Sequence, residues 1–447
     1  MKRYDVVVIG GSAAGLTAAL TCRRHYADVS ILVIRSEEHA VIPCGIPYVF
    51  GELGSCDQNL MPDAVLGGNR IDLLVDKATA IDRERKVVTC AGGEQVAYTR
   101  LILATGSLPV VPPIPGVQQE GVYAIQKSES YLEDMVLTMQ DARDILIVGC
   151  GFIGVEIAEE CVRKHDAKVR IVEMLRHCLQ LTYDEEFSIK AEEVLRAQGI
   201  ELYVSQRLEQ LEGDGRVTGA RLSDGQSIPA DMVILGIGAK ANTELAVDAG
   251  LEIGPTRAIE VNRYMQTSDP DIFACGDCAE KVSFYDGRPS QLKLASIATM
   301  EARIAGANLF QLHRANSGVI GVYSTVLGNT AFCAAGLTET MAKEKGFRLM
   351  VGTAEAINRH PSIMPGGAPM KVKLVFEAGT GVLLGGQVSG AKSGGELINA
   401  IAGCIHNRMT ADDIATFQVG THPALTASPV SYQLVNAAEL AIASSRV

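Results

Sequence analysis

Twice along this chain a run of β-branched residues breaks into a glycine-rich turn, a helix follows, and a second apolar run closes the unit. Tyr4 to Ile9 is the first run, leading into Gly10-Gly11-Ser12-Ala13-Ala14-Gly15, an alanine- and leucine-rich helix, and then Val29 to Ile34. Continuous runs of this kind suit parallel strands covered on both faces. Small residues in the turn let backbone N–H groups and a helix N-terminus approach a pyrophosphate without Cβ collisions. Ser12 stands at the second glycine of the dinucleotide fingerprint, and Arg35 where a carboxylate usually grips ribose hydroxyls, so Glu37 or Glu38 is the candidate replacement. About 140 residues later the pattern recurs, with Asp144 to Val148 as strand and Gly149-Cys150-Gly151-Phe152-Ile153-Gly154 matching the full fingerprint. Glu156 follows on the helix, and Val169 to Val172 is the next strand. It ends in Glu173, 24 residues past Gly149, the reach of a carboxylate accepting from the adenosine ribose. One such turn is weak evidence. Two complete units imply an α/β protein with two bound dinucleotides.

Composition narrows the class further. A chain of 447 residues makes two to four domains. The net charge is −12 and no basic run exceeds a pair, which excludes a nucleic-acid binder. No stretch approaches the roughly 18 consecutive apolar residues of a membrane span. The first residues enter strand and turn directly, leaving no room for a secretory leader, so a soluble, cytoplasmic protein is expected. The 11 cysteines are odd in number and scattered through apolar contexts, and read mostly as reduced core residues rather than a disulfide framework. Cys275 and Cys278 have zinc-like spacing but no second pair to complete a ligand set, so no metal is expected.

Two more buried strands end in tight turns, Leu101-Ile102-Leu103-Ala104-Thr105-Gly106 and Asp271-Ile272-Phe273-Ala274-Cys275-Gly276-Asp277. Together with the two glycine turns they resemble the pyridine nucleotide–disulfide oxidoreductase superfamily, whose ATG and GD motifs contact FAD. The resemblance implies that Thr105 and Gly106 lie against FAD in the first motif and Gly276 and Asp277 in the second, with Asp277 at the ribityl chain. It also implies an FAD domain in two pieces, residues 1–112 and 245–325, with an NAD(P)H domain, 113–244, between them. Residues 326–447 would be a C-terminal α+β dimerisation domain. There Met370 to Phe376 and Gly381 to Val388 read as a hairpin, followed by a helix near 394–407. The expected fold is therefore two Rossmann-like dinucleotide-binding domains plus that third domain, assembled as a homodimer.

Cys44 carries the expected chemistry. Cys44, Pro47, Tyr48, Gly51 and Glu52 resemble the single-cysteine branch of that superfamily, which holds coenzyme A-disulfide reductases, NADH oxidases, NADH peroxidases and NAD(P)H sulfur or polysulfide reductases. Two-cysteine members have a partner five residues on, where this chain has Val49. The resemblance places Cys44 where a helix begins, and a helix N-terminus favours the reactive thiolate. Without a partner, the sulfur must pass through a mixed disulfide with a small thiol, a persulfide or a sulfenic acid. Peroxidase and oxidase members carry a histidine where this chain has Ala13. The Arg23-Arg24 pair is shared with the coenzyme A-disulfide reductases and suits phosphate, with Tyr48 beside the substrate. Those reductases have tyrosines before a Pro-Gly step, where Ile363-Met364 precede Pro365-Gly366 here. Gly420-Thr421-His422-Pro423 resembles the HPTxxE element of the two-cysteine reductases, which makes His422 the candidate acid–base group. Ala427 occupies the place of its orienting carboxylate. The expected activity is NAD(P)H-driven reduction of a small disulfide, persulfide or polysulfide, possible substrates including coenzyme A disulfide. Glu173 favours NADH, while Arg176 and His177 leave room for NADPH. The alternatives are an NADH oxidase reducing O2 and a flavin-bearing redox sensor or scaffold.

Overall fold

The computed structural model describes residues 1–445. Contacts divide them into two compact units. One comprises Met1–Pro112, Tyr123–Asp141 and Ile237–Val319; the other comprises Pro113–Val122, Ala142–Gly236 and the chain from Ile320 on. The second glycine turn and the C-terminal sheet thus share a unit. Tyr123–Asp141, which the sequence reading gave to the NAD(P)H domain, clusters with the first glycine turn.

In the first unit, parallel strands run in the order Asp72–Val75, Ile31–Arg35, Lys2–Ile9, Gln95–Leu103 and Ile272–Ala274. Val6, Val7 and Val8 are fully buried, as are Leu101, Ile102 and Leu103, because the sheet is covered on both faces. Consecutive strands leave Lys2–Ile9 in one direction and return on its other side. That reversal opens a crevice at the strands' carboxyl ends. The helices Ala13–His25 and Ala295–Asn308 pack closely, since a Cβ on Gly306 would stand 2.5 Å from the Ala18 carbonyl. Antiparallel strands Ala78–Asp82 and Val87–Cys90 extend the sheet at its edge.

In the second unit, parallel strands run Glu201–Val204, Lys168–Glu173, Asp144–Val148 and Met232–Leu235. The same unit holds a five-stranded antiparallel sheet in the order Val322–Leu327, Thr330–Gly336, Leu383–Gly390, Pro369–Glu377 and Leu349–Ile357. The expected hairpin is its Pro369–Glu377/Leu383–Gly390 pair, and the expected helix is Gly394–His406. The helix Gln433–Ser444 lies against the outer strands, where Gly352 would put a Cβ 1.9 Å from the Ala437 carbonyl. No helix among the described residues is long and apolar enough to cross a membrane.

Candidate active site

Three motifs far apart in the chain converge at the crevice of the first unit. Gly10 adopts φ 112°, and a Cβ there would stand 2.1 Å from the Ala104 carbonyl. A Cβ on Gly15 would stand 1.8 Å from the Gly10 carbonyl. Gly276, at φ 79°, would meet the Ala14 side chain at 2.9 Å. The Gly10–Gly15 turn therefore lies directly against Ala104, which leads into the Thr105-Gly106 turn, and against the Gly276-Asp277 turn. Ser12 begins the helix Ala13–His25 but makes no side-chain cap, and no acidic residue lies in its first turn. Its N–H groups and positive end are left for an anion, which fits a pyrophosphate. Thr105 Oγ1 donates to the Asn242 carbonyl (2.6 Å), and Ser107 Oγ donates to Asp277 Oδ2 (2.7 Å), with Lys127 Nζ at 3.5 Å.

A buried ion pair supports the Gly276 turn. Glu301 Oε2 accepts the Gly276 N–H (2.9 Å) and lies 3.3 Å from Lys281 Nζ, which also donates to the Gly276 and Ala279 carbonyls. Burial pushes the Glu301 carboxyl up to about 7, against the pull of Lys281. Nothing in the sequence singles out this pair; its only signal is that Glu301 is the one carboxylate on the helix Ala295–Asn308. Cys278 Sγ donates to the Leu103 and Cys275 carbonyls, so both cysteines of that pair are core packing.

Arg35 is buried against a carboxylate that sequence reading also missed. Its guanidinium grips Asp63 through two N–H groups (2.5 and 2.6 Å) and donates to the Glu37 and Glu38 carbonyls. Its stem lies under the glycine turn, where a Gly11 Cβ would stand 2.6 Å from Arg35 Cδ. Glu37 contributes its carbonyl to this cluster while its side chain is exposed. The expected phosphate role of Arg23 needs correction. Its guanidinium donates to the carbonyls of Ala27, Val29, Asn69 and Arg70, tying a helix end to two loops, and no N–H fork remains for phosphate. Arg24 is exposed.

Cys44 is exposed, outside any disulfide, on the 3-10 turn Pro43–Gly45. The helix after it is the single turn Ile46–Val49, bearing a half-buried Tyr48, so the expected helix-dipole support shrinks to that of one turn. What holds the turn is Asn59, unrecognised from sequence. Its Nδ2 donates to the Ile42 carbonyl (3.0 Å), its own carbonyl accepts the Ile42 N–H (2.8 Å), and its Oδ1 would stand 1.9 Å from a Gly45 Cβ. The next cysteine along, Cys56, is buried, and burial pushes its thiol up to about 11.

The second unit repeats the anion cradle. Gly149 has φ 102°, and a Gly154 Cβ would stand 2.0 Å from its carbonyl. Gly151 begins the helix Phe152–Lys164, again without side-chain cap or acidic first turn. Glu173 accepts the Cys150 N–H (2.8 Å) and the Leu175 N–H (2.8 Å). Phe152 stacks on Tyr323 at 5.3 Å, and Ile153 is exposed. Burial, with Glu159 and Glu160 close by, pushes the Glu156 carboxyl up to about 7 although Thr325 donates to it (2.7 Å). Cys150 and Cys178 form a disulfide, which corrects the expectation for two of the cysteines. His422 lies exposed on a loop. Its N–H donates to Thr426 Oγ1 (3.1 Å), and its Nδ1 accepts the Ala424 N–H (3.2 Å), leaving Nε2 to carry the proton of the neutral ring. A backbone N–H thus orients the ring where a carboxylate was missing.

Two uncapped glycine cradles in one chain have a family behind them. The profile described as "Pyridine nucleotide-disulphide oxidoreductase" matches residues 4–302, and the corresponding dimerisation-domain profile matches 322–431. The chain belongs to the pyridine nucleotide-disulphide oxidoreductases. An NADH oxidase of Methanocaldococcus jannaschii is 32% identical over 427 residues, 92% of this chain and 93% of that one. An NAD(P)H sulfur oxidoreductase (CoA-dependent) of Pyrococcus furiosus is 32% identical over 401 residues, 88% of this chain and 89% of that one. Among solved structures, a NAD-dependent persulfide reductase from A. fulgidus superposes with a TM-score of 0.91 at 31% identity, covering 99% of this chain and 83% of that one. This family member is an FAD- and NAD(P)H-dependent oxidoreductase with a dimerisation domain. Among the described residues no group of three or more metal-ligating side chains could hold a metal ion.

Proposed function

We propose that this oxidoreductase reduces a small disulfide, persulfide or polysulfide, of the coenzyme A disulfide kind, at the single cysteine Cys44. The observation that carries the reading is the exposed Cys44 on its Asn59-braced turn, with Val49 at the partner position and Cys56 buried. Gly10–Gly15, Thr105-Gly106 and Gly276-Asp277 would hold FAD, and Gly149–Gly154 with Glu173 the nicotinamide nucleotide. When bound, FAD relays to sulfur the two electrons of a nicotinamide hydride. The Cys44 thiolate attacks the substrate sulfur, forms a mixed disulfide and expels one thiolate. Two-electron reduction of that mixed disulfide returns the Cys44 thiolate and frees the second thiol, which takes a proton. In the homodimer, residues 326–447 form the interface, and His422 of one chain supplies that proton at the Cys44 site of the other.

The NADH oxidase reading is the second one, favoured by relatives that carry that name. NADH turnover measured in parallel against oxygen, coenzyme A disulfide and polysulfide separates the two. A kcat/KM for either sulfur acceptor well above that for oxygen is expected, and oxygen as the only acceptor would overturn the proposal.

A further inference from the structure

The second glycine turn carries a cysteine, and that cysteine is covalently tied to a surface segment. Cys150 is bonded to Cys178, in the irregular stretch between the strand Lys168–Glu173 and the helix Glu185–Ala197. Both backbone polar groups of Cys150 are committed too: its N–H donates to Glu173 Oε2 (2.8 Å) and its carbonyl accepts the Leu179 N–H (2.9 Å). Leu179 is held at φ 58°, a conformation few side chains adopt unaided. Glu192 Oε1 accepts the Cys178 N–H and faces His177 Nδ1, each at 3.1 Å, while His177 Nε2 faces Glu185 at the same distance. Both cysteines are buried, yet Met174 and Leu181 on either side of Cys178 are 68% and 73% exposed. One bond therefore fastens a solvent-facing segment to the turn that cradles a pyrophosphate, next to the carboxylate placed for its ribose.

We infer that Cys150–Cys178 is a reversible thiol–disulfide site whose opening by a dithiol weakens binding of the nicotinamide nucleotide. This rests on reading the second glycine turn as the nucleotide site and is independent of the acceptor at Cys44. In the opening step a dithiol's thiolate attacks one sulfur, the S–S bond breaks, and a mixed disulfide forms. The reductant's second thiol then displaces the remaining cysteine. The reductant leaves as a disulfide, and Cys150 and Cys178 together take up two electrons and two protons. Attack requires residues 174–183 to lift, because the sulfurs are buried. The opened turn must be re-ordered before it can present its N–H groups, so it binds the nucleotide less tightly. Linkage makes the coupling reciprocal: nucleotide must favour the disulfide by the factor that reduction weakens its binding.

The test uses the FAD-loaded Cys44→Ser protein, in which no active-site thiol meets the reductant. It is equilibrated across ratios of reduced to oxidised dithiothreitol, with and without saturating NAD+. Thiols are trapped by alkylation and located by mass spectrometry, and NAD+ binding is measured by calorimetry. Reduction is expected to weaken NAD+ binding about tenfold, within the usual range for coupled sites, and saturating NAD+ to shift the half-reduction ratio by the same factor. Cys178→Ser in this background should bind NAD+ as the reduced protein does, whatever the buffer. The titration itself needs no substitution at either cysteine, so a misfolded Cys178→Ser would not decide the matter. Alkylation of both cysteines under oxidising conditions, or equal NAD+ affinity in both redox states, would overturn the inference. Absence of NAD+ binding in either state would instead overturn the nucleotide reading beneath it.

Discussion

Gly45 and Asn59 show how a single side chain can brace the turn that carries a reactive atom. With Asn59 Oδ1 filling the space of a Gly45 Cβ, and Asn59 bonded both ways to Ile42, the backbone of the turn carrying Cys44 has little freedom to move. In the proposed mechanism Cys44 stands downstream of the flavin in electron flow. Cys44→Ser should therefore keep its FAD and be reduced by NADH at the wild-type rate, while sulfur-acceptor turnover falls by three orders of magnitude or about that. Stopped-flow flavin absorbance and steady-state assays read the two halves separately, and full turnover in the variant would remove Cys44 from the mechanism. Glu173 sets the other choice at this scale. Its carboxylate is held by the N–H groups of Cys150 and Leu175, so a 2′-phosphate would face a fixed negative charge. The wild type should prefer NADH by kcat/KM, and Glu173→Ala should narrow that preference about tenfold, which corresponds to relief of about 1.4 kcal/mol of repulsion. A wild-type preference for NADPH would refute the assignment.

Between elements of the second unit, buried charge takes over from local pattern. Lys373, buried on the strand Pro369–Glu377, reaches Asp184 (3.0 Å), Glu186 (2.7 Å) and Glu339 (2.8 Å). Asp184 also accepts from Gln387 and from Thr340, and these donors with Lys373 outweigh its burial and hold its carboxyl below the ordinary range. Lys373→Met would strand that carboxylate, and a loss of about 3–5 kcal/mol is expected in urea unfolding. Asp184→Asn added to it should restore much of the loss; no recovery would mean that packing, not charge, is responsible. Glu156 works in the opposite direction. Its folded carboxyl titrates near 7, raised by burial and by Glu159 and Glu160, so the folded state holds a proton that the unfolded chain releases near 4.5. That contribution is complete below pH 4.5 and is lost as pH rises through 7. Glu156→Gln should therefore flatten the fall in melting temperature across that window without nucleotide present, and parallel pH curves would refute it. These contacts also mark where the sequence stopped being legible. Both glycine turns could be read because their chemistry lies within six consecutive residues flanked by buried strands, and the C-terminal hairpin because its strands are neighbours. Asp63 under Arg35, Asn59 under Gly45, and Cys178 against Cys150 could not, since each partner arrives from elsewhere in the chain with no periodic signature. Arg23 misled for the same reason: an arginine at a helix end looks identical whether its partners are phosphates or four carbonyls.

At the scale of the whole molecule, the question is which chain supplies the proton to the thiol leaving Cys44. The first glycine turn has Ala13 where peroxidase-like members carry a histidine, and Ile363-Met364 stand where tyrosines would precede Pro365. Loss of a positioned acid typically costs about 10²–10⁴-fold in rate, so a group from elsewhere is called for. His422 has the right attributes: exposed, and held by the Ala424 N–H at Nδ1, which leaves Nε2 to carry the proton of the neutral ring. It lies in the segment that matches the dimerisation domain, so the expected arrangement pairs His422 of one chain with Cys44 of the other. Mixed dimers of Cys44→Ser and His422→Ala chains decide it. Acting across the interface, such a dimer has one site lacking both groups and one intact site, and should recover about half of wild-type turnover where each parent homodimer is nearly inactive. If both groups act within one chain, every site in the mixed dimer lacks one of them and the mixture stays inactive. Full turnover of the His422→Ala homodimer across the pH range would make the histidine structural and send the search for the proton donor back to the flavin unit.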